Sequence, residues 1–209
     1  MFKTGTRIVV GLITVAAWSL LGLSLHGGLG PHVDARAHQA SGELMAQQAL
    51  ACLAPGGQIT VITRDTATFR NPATDIQLAS FLKAISQTHA VISSLHALQV
   101  DPLRPIAVPS SEFCEAIRNT PGGSVIVSFM GPPLLTQAER SRLGEIQPGI
   151  VAFCSGSLAE SVDLRPLFQQ GLLRAAVVDR RGMEGSEQAF LTMTATNLSE
   201  VSALQEAGH

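Results

Sequence analysis

Four short apolar runs constrain the fold of this chain more than any other feature: "QITVIT" (Gln58–Thr63), "SVIVSF" (Ser124–Phe129), "IVAFC" (Ile150–Cys154) and "AAVVD" (Ala175–Asp179). Their apolar residues are consecutive and largely β-branched, which is the pattern of strands buried on both faces. Helical signals fill the gaps between them. Asn71-Pro72 supplies a cap followed by proline at the first helical position, and Leu78, Phe81, Leu82 and Ile85 then recur at helical spacing. Ser110 or Ser111 is expected to cap a helix through Ile117. Thr136-Gln-Ala-Glu139 is a capping box, in which hydroxyl and carboxylate satisfy each other's free amides. Asp163 opens a short helix closed by Gly171.

Upstream, Ser41 is expected to cap a helix whose Met45, Ala49, Cys52 and Leu53 share a face, ended by Pro55-Gly56-Gly57. "AVISSLHALQV" reads as a further strand, "AFLTMTA" as an edge strand, and Ser199–Ala207 as a last helix. Strands alternating with amphipathic helices form a parallel sheet covered on both faces. Right-handed crossovers then leave few topologies. The predicted fold is α/β: a doubly wound, mainly parallel open sheet of about five or six strands with helices on both faces.

Charged residues are 14% of the chain, against roughly 25% in soluble domains. Part of the deficit lies in Ile8–Leu25, which contains no charge and follows Lys3 and Arg7. That length suits one transmembrane helix, and the preceding positive charge places the N-terminus in the cytoplasm. The rival is a cleaved signal peptide, with Ala35-Arg36-Ala37 as the small-x-small site. That site lies 12 residues beyond Leu25, too far for the usual spacing, so a signal anchor is favoured. The expected organisation is residues 1–7 cytoplasmic, 8–25 in the bilayer, 26–40 a linker and 41–209 a periplasmic domain. Cleavage would make the domain secreted.

Beyond residue 25 the chain holds 12 basic and 16 acidic residues, a net of −4, with no basic cluster apart from Arg180-Arg181. This excludes a nucleic-acid surface, whose affinity needs a basic patch. Cys52, Cys114 and Cys154 are too scattered for a disulfide framework or a zinc site, and any pairing among them stays open. No cofactor or metal is expected.

Open α/β sheets bind ligands beyond the carboxyl ends of their strands. The candidate ligand-binding residues are therefore Arg64, Asp65 and Thr66 after the first run, and Gly131 after the second. Cys154, Ser155 and Gly156 follow the third run, and Asp179 and Arg180 end the fourth. Glycine and serine there would let a ligand approach the backbone. "PGGQIT" and "PGGSVI" put glycine before strands rather than between strand and helix, so they match no nucleotide-binding fingerprint.

Two resemblances bear on function. "FCSG" resembles the strand–turn of the glutaminase superfamily, where Cys, any residue and Gly form a nucleophile elbow. The alternative it implies is a hydrolase with Cys154 as nucleophile and His89 or His96 as base. No helix start immediately follows this elbow to lower the thiol pKa, and free cysteine is most often a small buried hydrophobe. More widely, "RDTATF", "NPATDIQLASFLKAI", "SEFCEAI", "GSVIVSF" and "PGIVAFCSG" follow the order of one lobe of a type 1 periplasmic binding protein. That family closes paired Rossmann-like lobes on small solutes, and one lobe's worth of chain is present here. The resemblance implies a small-solute-binding domain, and the large share of Val, Ile, Leu and Ala among so few charges also permits a membrane protein partner; the expected domain is non-catalytic.

Overall fold

A computed structural model describes residues 33–67, 70–100, 108–144, 147–155, 158, 162–181, 189–195 and 197. From Ala35 onward the chain forms one compact unit. Its elements run α1 (Ala35–Cys52), β1 (Gln58–Arg64), α2 (Pro72–Ser86), β2 (Val91–Leu98) and α3 (Ser110–Asn119). They continue with β3 (Val125–Ser128), α4 (Gln137–Arg140), β4 (Gly149–Cys154), α5 (Arg165–Gln169), β5 (Ala175–Asp179) and β6 (Phe190–Thr194).

The strands form one sheet in the order β2-β1-β3-β4-β5-β6. β1 to β5 pair in parallel, while β6 runs antiparallel to β5, with Asp179 opposite Phe190. The expected mainly parallel, doubly wound sheet is what the chain forms. "AVISSLHALQV" and "AFLTMTA" become the two edge strands. Ser199–Ala207 and Ile8–Leu25 lie outside the described residues. Among the described residues no helix is long and apolar enough to cross a membrane.

Strand periodicity divides the core into two layers. Ile59, Val61, Val125, Val127, Val151 and Val177 pack under α1 and α2, with Met45, Phe81 and Ile85. Ile62, Ile126, Ile150, Ala152, Cys154 and Val178 pack on the opposite face, under Phe113 and Ile117 of α3 and Leu167 and Phe168 of α5. Every residue of β3 is buried, which is why its run has no polar alternation.

Several polar groups between these layers and at the β1–β2 edge find partners, while the buried Thr63 hydroxyl finds none among the described residues. Ser93 is an extra residue in β2, where the register with β1 shifts between Ile59 and Thr60. Its hydroxyl donates to the Ile59 carbonyl at 3.2 Å, which pins the bulge. The Thr60 hydroxyl meets Thr120 at 3.1 Å and Ser94 at 3.2 Å. Gln77 donates to the Ser41 hydroxyl at 2.9 Å across the α1–α2 contact.

The helix starts show which capping signals act. Asn71 Oδ1 accepts the Thr74 amide, and Thr136 with Glu139 forms the expected capping box. Ser41 does not open α1, which begins at Ala35. Its buried hydroxyl donates instead to the His38 carbonyl at 2.9 Å. Neither Ser110 nor Ser111 caps α3. Pro109 occupies the cap, and Ser110 donates to Glu139 Oε1 at 2.6 Å.

Candidate functional site

The strand order reverses about β1: α2 carries the chain outward to β2, and α3 carries it back over β1 to β3. Such a reversal separates the crossovers beyond the carboxyl ends of the two central strands, and ligands bind in that crevice. Arg64, Asp65 and Thr66 end β1, and Phe129, Met130 and Gly131 follow β3. The Phe129 amide donates to the Ile62 carbonyl at 2.9 Å, which joins the two exits.

Arg64, Asp65 and Thr66 are all half-buried. Two of them are turned toward their own chain. Asp65 Oδ1 accepts the Ala67 amide at 2.9 Å, and Thr66 donates to Asp75 Oδ1 at 2.7 Å, tying the turn to the first turn of α2. Arg64 is different. Its Nε is closed off from solvent with no hydrogen-bond acceptor, and it forms no ion pair among the described residues. The preceding Thr63 is 1% exposed, and its hydroxyl likewise lacks a partner.

Gly131 does not present open backbone. It is buried at φ +100°, and a Cβ there would stand 2.7 Å from Leu158 Cδ2. The space over it at the β3 exit is filled by the Leu158 side chain. Ser155 is exposed, and Gly156 lies outside the described residues.

Cys154 is a core residue. It is 0% exposed, and burial pushes its thiol up to about 12. A thiol so held supplies no thiolate near neutral pH. His89 and His96 are exposed, one before β2 and one on it. The β2 edge lies three strands from β4, roughly 14 Å at the usual strand spacing. Neither histidine can take a proton from Cys154, so the cysteine-hydrolase alternative is overturned by burial and distance. Cys52 and Cys114 are also free thiols, and burial raises the Cys52 pKa despite the nearby Arg174.

At the far end of the edge, Asp179 is held by Arg181, whose Nη2 donates to Oδ2 at 2.6 Å. Burial pushes the Asp179 carboxyl up. Hydrogen bonds from the Arg181 side chain and amide outweigh it and hold the group below its ordinary value, with His38 adding to the effect. Arg181 also lies 5.4 Å from the centre of the Phe190 ring, a cation–π distance. The reading of the sequence missed Arg181; the signal that marks it is an Asp-x-Arg spacing, which recurs at Asp163 and Arg165. Arg180 is half-buried, and its amide closes the β5–β6 connection onto the Ala189 carbonyl at 2.9 Å. Arg64 and Arg180 thus share an edge but stand three strands apart, and they do not form one clamp. Among the described residues no group of three or more His, Cys, Asp or Glu is placed to hold a metal ion.

Neither a protein-family profile nor a curated protein sequence matches the chain. Solved structures do match its fold. A carbohydrate transporter solute binding protein from Agrobacterium radiobacter, in complex with D-arabinose, aligns at TM-score 0.53 and 13% identity, over 80% of this chain and 62% of that one. A periplasmic ribose ABC transporter from Conexibacter woesei aligns at TM-score 0.52 and 10% identity, over 79% and 60%. An ABC transporter solute binding protein from Agrobacterium vitis, bound with α-D-tagatopyranose, aligns at TM-score 0.51 and 17% identity, over 80% and 60%. This chain therefore spans about three fifths of the length of each. The likeness is one of fold alone, at low identity and partial coverage, and it agrees with the resemblance to one lobe of a type 1 periplasmic binding protein.

Proposed function

We propose that this chain is a non-catalytic, extracytoplasmic α/β domain that binds a small solute at the carboxyl edge of its sheet, beside the β1 and β3 exits. The observation that carries the reading is the reversal of strand order about β1, beside which Arg64 stands without a partner among the described residues. The structural neighbours bound to arabinose and tagatose support a small polar solute as the ligand class. The test is calorimetry and thermal shift of the detergent-solubilised full chain against pentoses, hexoses and their acidic derivatives. Saturable binding with a raised melting temperature is expected, and a flat response to the whole series rejects the reading.

In the same proposal, Ile8–Leu25 holds the domain on the outer face of the cell membrane with the N-terminus in the cytoplasm. The supporting feature is an 18-residue run without charge after Lys3 and Arg7. Alkaline carbonate washing of vesicles should leave the full-length chain in the pellet, and its release would refute the anchor. A partner protein is the second reading. It is favoured by the free edge strand β2, where Val91 is 56% and Leu95 45% exposed and no charge interrupts Val91–Leu98. Co-purification after mild detergent extraction tests it.

A further inference from the structure

We infer that the solute bound at this edge carries an oxyanion, carboxylate or phosphate, and that Arg64 is the residue that receives it. This rests on the solute-binding reading above and adds the chemistry of the ligand.

The inference starts from how this chain treats its arginines. Arg165 and Arg181 each lie two residues after an aspartate and are held by it, at 3.0 Å and 2.6 Å. Arg140 Nη1 is engaged by Gln170. At Arg64 the corresponding upstream position is Ile62, a core residue, so the local device for neutralising an arginine is absent. Asp65, the adjacent acid, turns its carboxylate onto the Ala67 amide instead. The Arg64 guanidinium is thus partly withdrawn from water without a compensating anion among the described residues.

Such a group is costly to the fold, because a buried donor left unpaired loses its hydration and gains nothing. It is also well suited to binding. Its backbone is held in strand β1, where Arg64 pairs with Leu98 of β2. Its terminal nitrogens carry no hydrogen bond within the described chain. Those two nitrogens match the two oxygens of a carboxylate or phosphate in a fork, whose planar geometry is built into the guanidinium. A neutral sugar hydroxyl would leave the positive charge uncompensated, whereas an oxyanion removes the electrostatic penalty. The other acids of the edge do not compete, since Asp75 is engaged by Thr66 and Asp179 by Arg181.

The decisive experiment uses the detergent-solubilised full chain and a panel of paired probes: hexuronates, aldonates, hydroxy acids, amino acids and sugar phosphates, each beside its uncharged parent. D-galacturonate and D-galactose 6-phosphate against D-galactose form the core set, and they separate the two oxyanions. At least one acidic probe should bind the wild type at least tenfold more tightly than its parent. Arg64→Met should lower that affinity at least tenfold, and Arg64→Lys should restore part of it. Arg118→Met, an exposed cation at the end of α3, should leave it unchanged. Arg64→Met should also keep or raise the melting temperature, because it removes an unpaired buried donor. A fall would assign Arg64 to the fold and overturn the inference. If uncharged probes bind equally well and Arg64→Met leaves them unaffected, the oxyanion inference fails while solute binding stands. If no probe of either kind binds, both fall.

Discussion

Arg181 grips Asp179 through both carboxylate oxygens, and its own amide donates to Oδ1 at 3.0 Å. The same arrangement recurs at Asp163 and Arg165, where the amide contact is 3.1 Å. What separates the pairs is solvent. The Arg165 and Asp163 side chains are 56% and 53% exposed, whereas those of Arg181 and Asp179 are 29% and 14% exposed. Exposed pairs contribute little, because water screens them and two side chains must be ordered. The partly buried pair also joins β5 to β6 through the Phe190 ring.

Asp179→Asn should therefore lower stability by about 1–3 kcal/mol, since it leaves a half-buried guanidinium facing a neutral group. Asp163→Asn should change the melting temperature much less. The pH dependence follows from the depressed Asp179 pKa. Its stabilising effect is present above the unfolded carboxyl value of about 3.9, and it is lost as pH falls through the lower folded value. Melting temperatures followed from pH 7 down to pH 2.5 should drop more steeply below pH 4 in the wild type than in Asp179→Asn. Parallel acid limbs would show that the pair does not set this dependence.

Cys154 should resist labelling in the native state. With its thiol pushed up to about 12, iodoacetamide at pH 8 should modify it only at the rate of unfolding, and denaturant should accelerate the reaction strongly. Here the linkage has the opposite sign. The raised pKa stabilises the fold fully below the unfolded value of about 8.5, and that contribution is lost as pH rises from there toward 12. Cys154→Ala should flatten the alkaline limb of the stability curve. Rapid native-state labelling at Cys154 would show that the thiol is reachable after all.

How much of this was legible in the residues depends on how local each determinant is. Ile59, Val61, Val125, Val127 and Val151 are enclosed by layers on both faces, so their runs lack polar interruption and read directly as central strands. Asn71 and Thr136 cap their helices with partners three residues away, within reach of a local pattern. Ser110 failed as a cap because its hydroxyl is committed to Glu139, 29 positions on, and that partner exists only in the folded chain. Ser41 failed because Gln77, 36 positions on, places it in the middle of a helix–helix contact. At the candidate site, Arg64 was readable from its position at a strand end. Its lack of a partner among the described residues depends on Asp65 turning onto Ala67, which no local pattern shows. At Gly131 no local pattern could show that the side chain filling the space over it is Leu158, from the segment after β4.

Gly131→Ala tests that packing. Two effects combine there: a φ of +100° that L-residues avoid, and a new methyl 2.7 Å from Leu158 Cδ2. A loss of about 1–3 kcal/mol is expected from the backbone alone. Adding Leu158→Ala to the variant relieves the contact but not the dihedral, so only partial recovery should follow in denaturant titration. Complete recovery would mean that crowding alone selects glycine here.

Gly42 marks a close approach of two helices. It sits in α1 against α2, and a Cβ there would lie 2.3 Å from the Gln77 carbonyl oxygen and 2.9 Å from Ser80 Cβ. Alanine in a helix interior normally gains about 1 kcal/mol over glycine. Against that, the methyl meets backbone, which cannot swing aside as a side chain would. The two helices must then separate, straining the Gln77–Ser41 and Ser80–Gln39 hydrogen bonds that cross the same contact. Overpacking of this kind costs about 1–3 kcal/mol, so the clash should win and Gly42→Ala should destabilise the domain. Thermal melts check the sign, and hydrogen exchange checks the place, with lost protection expected in α1 and α2 before β3 and β4. A variant more stable than the wild type would mean that the helices part without penalty, and that Gly42 does not set their separation.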